Sequence, residues 1–164
     1  MKRFTIPALV GLLLAGFLFW WFSPGQVLKR RLLVLFETIT LDESAGVSSR
    51  QLGVYSLNSL LAPIVTLENQ TIEEANGTFE RSELGDSFSW LCQQAKQTRF
   101  ELENLESVSV IGDTAEVSCT LKALVELQGY RPADGIYHAR FNWRRCDDGW
   151  RLERVQWTGA APNR

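Results

Sequence analysis

The chain has 164 residues, enough for one ordinary domain and a short appendage. Hydrophobic residues make up 45% and charged residues 22%, the balance of a folded protein, and a net charge of −2 offers no bulk basicity for nucleic-acid phosphates. Three cysteines and one histidine exclude a disulfide framework, a four-cysteine zinc site and a histidine-rich metal centre, so no metal or other cofactor is expected.

The N-terminus reads as a membrane segment. No charged residue occurs between Phe4 and Leu28, and the most apolar stretch is 4–22, FTIPALVGLLLAGFLFWWF. A helix of that length covers roughly 28 Å, close to the hydrocarbon thickness of a bilayer. Trp20 and Trp21 close it, where indoles favour the interface. A cleaved signal has a shorter apolar core and a small-x-small cleavage site, whereas this run ends in FWWFSPG. The expectation is an uncleaved signal-anchor over 1–23, passing once through the inner (cell) membrane. Lys2 and Arg3 on one side nearly balance Lys29, Arg30 and Arg31 on the other. The very short N-terminal tail favours a domain on the extracytoplasmic side.

Ser23-Pro24 opens the folded part, with Ser23 as N-cap and Pro24 at the first helical position. The spacing of Leu28, Leu32, Leu35, Phe36 and Ile39 predicts an amphipathic helix over 24–40. Ser48 or Ser49 caps a second helix that Pro63 closes. Residues 64–72 read as a strand, Asn76-Gly77 as a two-residue hairpin turn, and 78–84 as the returning strand. A third helix fits 86–97, burying Phe88, Leu91, Cys92 and Ala95, with Trp90 as a lid over a neighbouring element. Glu80, Glu83 and Asp86 are helix-start and hairpin-surface charges.

The remaining chain reads as four antiparallel strands. RFELENLESVSV is followed by a Gly112-Asp113 turn. Ala115, Val117, Cys119, Leu121, Ala123, Val125 and Leu127 then alternate with polar residues, the mark of a half-buried strand. A loop around 129–135 leads to IYHARFNWRRC, where Tyr137, Ala139, Phe141 and Trp143 form the apolar face. After Asp147-Asp148-Gly149, Trp150 and Leu152 share one parity while Val155 and Trp157 share the other. A bulge near Glu153-Arg154 reconciles them. With this hairpin centred at Pro132-Ala133, Cys119 and Cys146 lie near register but on opposite faces, so a disulfide would need a further bulge. Cys92 and Cys119 read as small buried apolar residues. Residues 66–116 hold eleven acidic and three basic side chains, and 117–164 hold eight basic and five acidic. Neighbouring strands of opposite charge complement each other across a sheet.

The order helix, helix, two strands, helix, four strands carries the phrases LLAPIVTLE, GTFERSELGDSF, VSVIGDTAEVSC and RFNWRRCDDGWRLERVQWT. In this it resembles the nuclear transport factor 2-like superfamily, which includes SnoaL-type polyketide cyclases and ketosteroid isomerase. The resemblance spans 24–160 and leaves 161–164 as a tail. It implies an α+β fold: a curved antiparallel sheet wrapped on three helices, forming a cone with an apolar pocket, here preceded by one transmembrane helix. It implies no single activity.

Enzymes of this group place carboxylate, Tyr or His groups inside the cone. The inward parity of the two longest strands carries no carboxylate and no histidine, and no catalytic residue is carried over. Tyr55, Leu121, Tyr137, Phe141 and Trp143 are the expected lining of a ligand pocket. His138 falls on the opposite parity, with Lys122, Arg140, Asn142 and Arg144. That stripe is the expected surface for a protein partner or a homodimer. Three functions follow. The first is a membrane-anchored, non-catalytic binding or assembly module. The second is a small apolar-ligand binding protein, or a SnoaL/ketosteroid-isomerase-like enzyme, using the cone. The third is a secreted domain with its apolar N-terminus removed. An open pocket with a buried polar pair favours the enzyme; a filled cone excludes it.

Overall fold

The computed structural model describes residues 14, 16–69 and 76–159, except for the side chain of Val47. Helix α1 (Pro24–Ile39) has Pro24 in its first turn, where a missing N–H costs nothing. Ser23 makes no side-chain cap. Leu28, Leu32, Leu35 and Phe36 are buried, a spacing of four, three and one that puts them on one stripe. Burying each is worth about 1.5–3 kcal/mol, an upper estimate because the unfolded chain already hides some surface. Helix α2 (Val47–Leu60) starts from Gly46, not from Ser48 or Ser49.

Strand β1 (Leu61–Asn69) follows α2 without a loop, so it begins three residues earlier than the sequence suggests. Pro63 lies inside it. It falls between Leu61 and Thr66, where the ladder to the last strand is irregular and a missing donor is tolerated. Strand β2 (Gly77–Glu80) is short, because helix α3 (Arg81–Gln94) takes over the residues expected to extend it. Leu67 pairs with Gly77, so Asn76-Gly77 is not a two-residue turn. The connecting residues 70–75 lie outside the described residues. The Glu83 carboxylate accepts the backbone N–H of Glu80 at 2.7 Å, holding the start of α3 five residues upstream of the expected boundary. Trp90 is 56% exposed on α3, so it is not the buried lid the sequence suggests.

The four long strands are β3 (Ala95–Ile111), β4 (Thr114–Leu127), β5 (Ala133–Cys146) and β6 (Gly149–Gly159). Gly112, with φ +59°, opens the two-residue turn between β3 and β4, a conformation that L side chains rarely adopt. The β4–β5 register runs from Thr114↔Arg144 to Val125↔Ala133. This hairpin is therefore centred near Gly129 and not at Pro132-Ala133. Cys119 faces Ala139, Cys146 pairs with Gly149, and all three thiols are free. The bulge in β6 is present: Asn142 pairs with Arg154 and Trp143 with Leu152, leaving Glu153 as the extra residue.

All six strands form one sheet in the order β2-β1-β6-β5-β4-β3. It is mixed, not purely antiparallel, because β1 runs parallel to β6. Three irregularities in β3 and one in β5–β6 bend it into a cone. The helices pack against the concave side, where Phe36 of α1 meets Phe141 of β5 edge-on at 5.7 Å.

Residues 16–21 are helical and are followed by a bend at Ser23. Among the described residues no helix is long and apolar enough to cross a membrane, which says nothing of a β-barrel. Most of the segment 4–22 expected to cross lies outside the described residues. Its described part, Leu14 and 16–22, is exposed throughout.

Candidate functional site

The concave side of the sheet is not filled. Side chains of α1, α2, α3 and all six strands except β2 leave a cavity of about 560 Å³. This falls within the size range of small-molecule sites. Its wall is almost wholly apolar, with Phe36, Phe88, Phe100, Phe141 and Trp157 among the lining. Ser87 and Ala133 are the exposed residues of the lining and mark its mouth, between α3 and the start of β5. The inward parity read from the sequence explains most of the sheet side of the wall: Leu121, Ala123, Val125, Tyr137, Ala139 and Phe141 all line it.

Leu121, Tyr137 and Phe141 thus stand where the sequence puts them. Tyr55 does not. It is 76% exposed on α2, pointing away from the cavity, because α2 packs on the core through Leu57 and Leu60. Those residues are two and five positions away, so Tyr55 falls on another face. Trp143 is buried but is not among the cavity-lining residues. It packs the closed end of the cone, and its indole N–H has no hydrogen-bond partner.

Among the described residues, the lining holds no carboxylate, histidine, lysine or cysteine. Its polar side chains are Asn69, Ser87 and the phenol of Tyr137. Asn69 is buried, and its backbone is paired both ways with the side-chain amide of Asn76. Cys119 lies behind the wall with no exposure. Burial, and after it the nearby charge of Glu106, pushes its thiol up to about 12. It is protonated and a poor nucleophile at neutral pH. What this arrangement can do is surround an apolar molecule and exclude water from it.

The convex face carries the polar stripe. His138 Nδ1 lies 3.1 Å from Thr120 Oγ1 and 3.2 Å from Glu106 Oε1, and the Thr120 hydroxyl donates to the same carboxylate oxygen at 2.7 Å. These contacts, the hydroxyl first, hold Glu106 below the usual carboxylate range. Arg140 pairs with Glu116 at 3.4 Å, Asn142 donates to Glu116 at 3.3 Å, and Arg144 pairs with Glu153 at 2.7 Å. The acidic and basic stretches of the sequence do meet across the sheet. Each such exposed pair contributes at most about 1 kcal/mol. Lys122 is exposed on the same face. No group of side chains suited to a metal ion occurs among the described residues.

Sequence reasoning missed Arg50. From α2 its guanidinium donates to the carbonyls of Ala95 (2.7 Å), Lys96 (3.0 Å), Asp42 (2.5 Å) and Cys92 (3.4 Å). It ties α2 to the end of α3, the start of β3 and the α1–α2 connection, closing one side of the cone. The sequence carries no signal for it beyond a lone arginine near a helix start.

No family model matches the chain, and no curated protein matches it. Solved structures do. A nuclear transport factor 2-like superfamily protein from Salmonella enterica serovar Typhimurium matches with TM-score 0.65 and 12% identity, over 85% of this chain and 93% of that one. A nuclear transport factor 2-like protein from Cytophaga hutchinsonii matches with TM-score 0.64 and 16% identity, over 84% and 99%. A proposed dehydratase of the same family from Streptomyces avermitilis matches with TM-score 0.60 and 21% identity, over 82% and 94%. At such identities the likeness establishes the fold alone. That fold is the nuclear transport factor 2-like α+β cone with a curved mixed sheet.

Proposed function

We propose that this chain is a membrane-tethered, non-catalytic binding module whose cone holds a small apolar molecule. The observation that carries the reading is the cavity of about 560 Å³, whose wall is apolar and, among the described residues, has no acid–base pair. A dehydratase, the activity proposed for one structural neighbour, must take a proton from one atom and deliver one to another. The polar side chains of the described lining, a phenol, a hydroxyl and a buried amide, include no carboxylate or imidazole for such a transfer. Burial of apolar ligand surface, at about 25 cal/mol per Å², is the interaction this wall can supply.

The tether rests on the sequence of 4–22, whose described residues 16–22 leave their large apolar side chains exposed. Leaving so many large side chains in water is costly, and a bilayer removes that cost. The domain then lies outside the cytoplasm, attached by a single pass through the inner membrane. Lys122, His138, Arg140, Asn142 and Arg144 remain the surface proposed for a second copy or another protein. The pairing of His138, Arg140, Asn142 and Arg144 with Glu106, Glu116 and Glu153 means that a partner must compete for those charges.

The test uses the full chain in nanodiscs and a fluorinated naphthalene followed by ¹⁹F NMR. A bound resonance absent from empty discs, and lost in an Ala139→Leu variant that occupies the cavity, is the expected result. A spectrum identical to that of empty discs removes the binding reading. Cell fractionation with the chain in the soluble fraction removes the tether.

A further inference from the structure

The two ends of the cone differ, and the N-terminal helix leaves from only one of them. Helix α1 runs antiparallel to β3. At its start Gly25 faces Val108, and a Cβ on that glycine would lie 3.9 Å from the valine Cγ1. At its end the carbonyl of Ile39 accepts from the Thr98 hydroxyl at 2.6 Å, and the Thr40 hydroxyl accepts from the Phe100 N–H at 3.2 Å. Two turns into α1, Arg31 lies against Gly149, just after the β5–β6 turn. The start of α1 therefore sits at the end of the cone that carries the β3–β4 and β5–β6 turns. Trp143 fills the interior near that end. The cavity mouth, marked by Ser87 and Ala133, is at the other end. Strand β4 spans the distance from Thr114 to Val125, about 35 Å at the usual strand rise.

The closed end has the surface chemistry of a bilayer contact. Ile111, 76% exposed, and the half-exposed Val110 project at the β3–β4 tip. The exposed apolar helix of 16–21 leaves from the same end, and the sequence stays uncharged and apolar upstream to Phe4. Arg30 fixes the exit of this helix: Nη2 donates to the Trp21 carbonyl at 2.7 Å, and the guanidinium stands 4.6 Å from the centre of the Trp21 ring. Lys29, Arg30, Arg31, Arg145 and Arg151 are five cations at this end against three acids in the two turns, Asp113, Asp147 and Asp148, the last paired with Arg151. An apolar tip at an end with an excess of cations fits an anionic headgroup layer.

We infer that the closed end docks on an anionic bilayer surface, with Ile111 entering the headgroup–acyl boundary and the cone mouth facing away from the membrane. Its ligand then exchanges with the aqueous side and not by sideways passage from the lipid. This rests on the tethered reading above and adds an orientation to it.

The test uses the full chain in vesicles of phosphatidylcholine and phosphatidylglycerol. In a Cys146→Ser background, which removes the partly exposed thiol, Ile111→Cys and Ala133→Cys are each labelled with an environment-sensitive fluorophore. Acyl-brominated lipids and aqueous iodide serve as quenchers, and flotation reads the tether separately. The expected result is that the label at position 111 is quenched by brominated lipid and shielded from iodide, with the reverse at position 133. A chain that floats while position 111 stays open to iodide overturns the docking and leaves the tether standing. Lipid quenching at 133 instead of 111 overturns the orientation. A chain that fails to float overturns the tether, and the docking with it.

Discussion

Replacing Ala139 with leucine decides whether the cone is empty. Ala139 is buried on β5 between Tyr137 and Phe141, opposite Cys119 and Trp157, with its methyl group on the cavity wall. Leucine adds three carbons. Burying them in free space is worth roughly 2.4 kcal/mol at about 0.8 kcal/mol per carbon. Fixing the longer side chain returns about 0.5–1 kcal/mol. The variant is thus expected to be more stable by about 1.5 kcal/mol, or roughly 3–6 °C in Tm for a domain of this size. It should also lose the bound ¹⁹F resonance. In a cone packed to ordinary interior density the same three carbons would be forced into occupied space, costing about 1–3 kcal/mol. The sign of the shift separates the two cases. Thermal unfolding in nanodiscs, followed by near-ultraviolet circular dichroism, gives the sign directly. A Tm lowered by several degrees with ligand binding unchanged refutes the cavity and the function built on it.

Arg50→Lys keeps the charge but loses the fork that reaches several carbonyls at once, and should cost about 2 kcal/mol; an unchanged midpoint of urea unfolding would show that those hydrogen bonds contribute nothing. Thiol titration of the native chain at neutral pH should find one accessible group, Cys146, with Cys92 and Cys119 reacting only on unfolding. The Cys119 thiol is raised in the folded state, so the stability linked to it is complete below 9.0 and is lost as pH climbs toward about 12. Cys119→Ala should flatten that alkaline decline, and parallel Tm–pH curves for the two proteins would contradict it. The Glu106 carboxyl is lowered in the folded state by the Thr120 hydroxyl and then by His138. Its contribution is therefore present above 4.5 and disappears as pH falls through the lower folded value. The Tm difference between wild type and Glu106→Gln should shrink to nothing in acid, and a constant difference would argue against that contact.

The sequence by itself determined the elements whose signal is local. Period-3.6 spacing marked α1 because Leu28, Leu32, Leu35 and Phe36 all meet one core. Strict alternation marked β4 and β5 because one face of each is buried, and the same parity argument put Leu121, Tyr137 and Phe141 on the cavity wall. Even the bulge at Glu153 was legible, since a change of parity within one strand has no other geometric remedy. Local signals failed where a neighbour in space decided the outcome. The start of α3 was set by Glu83 reaching back to Glu80, and β1 became parallel to β6 through a pairing across some ninety residues of chain. Tyr55 reads as a core aromatic, but only the angle at which α2 meets the core turns it outward. Arg50 acquires its role from carbonyls that three separate segments deliver. The cavity itself belongs to the tertiary structure alone. Alternation specifies which side chains face inward, and the volume left between them depends on how far the bulged sheet curves away from its helices.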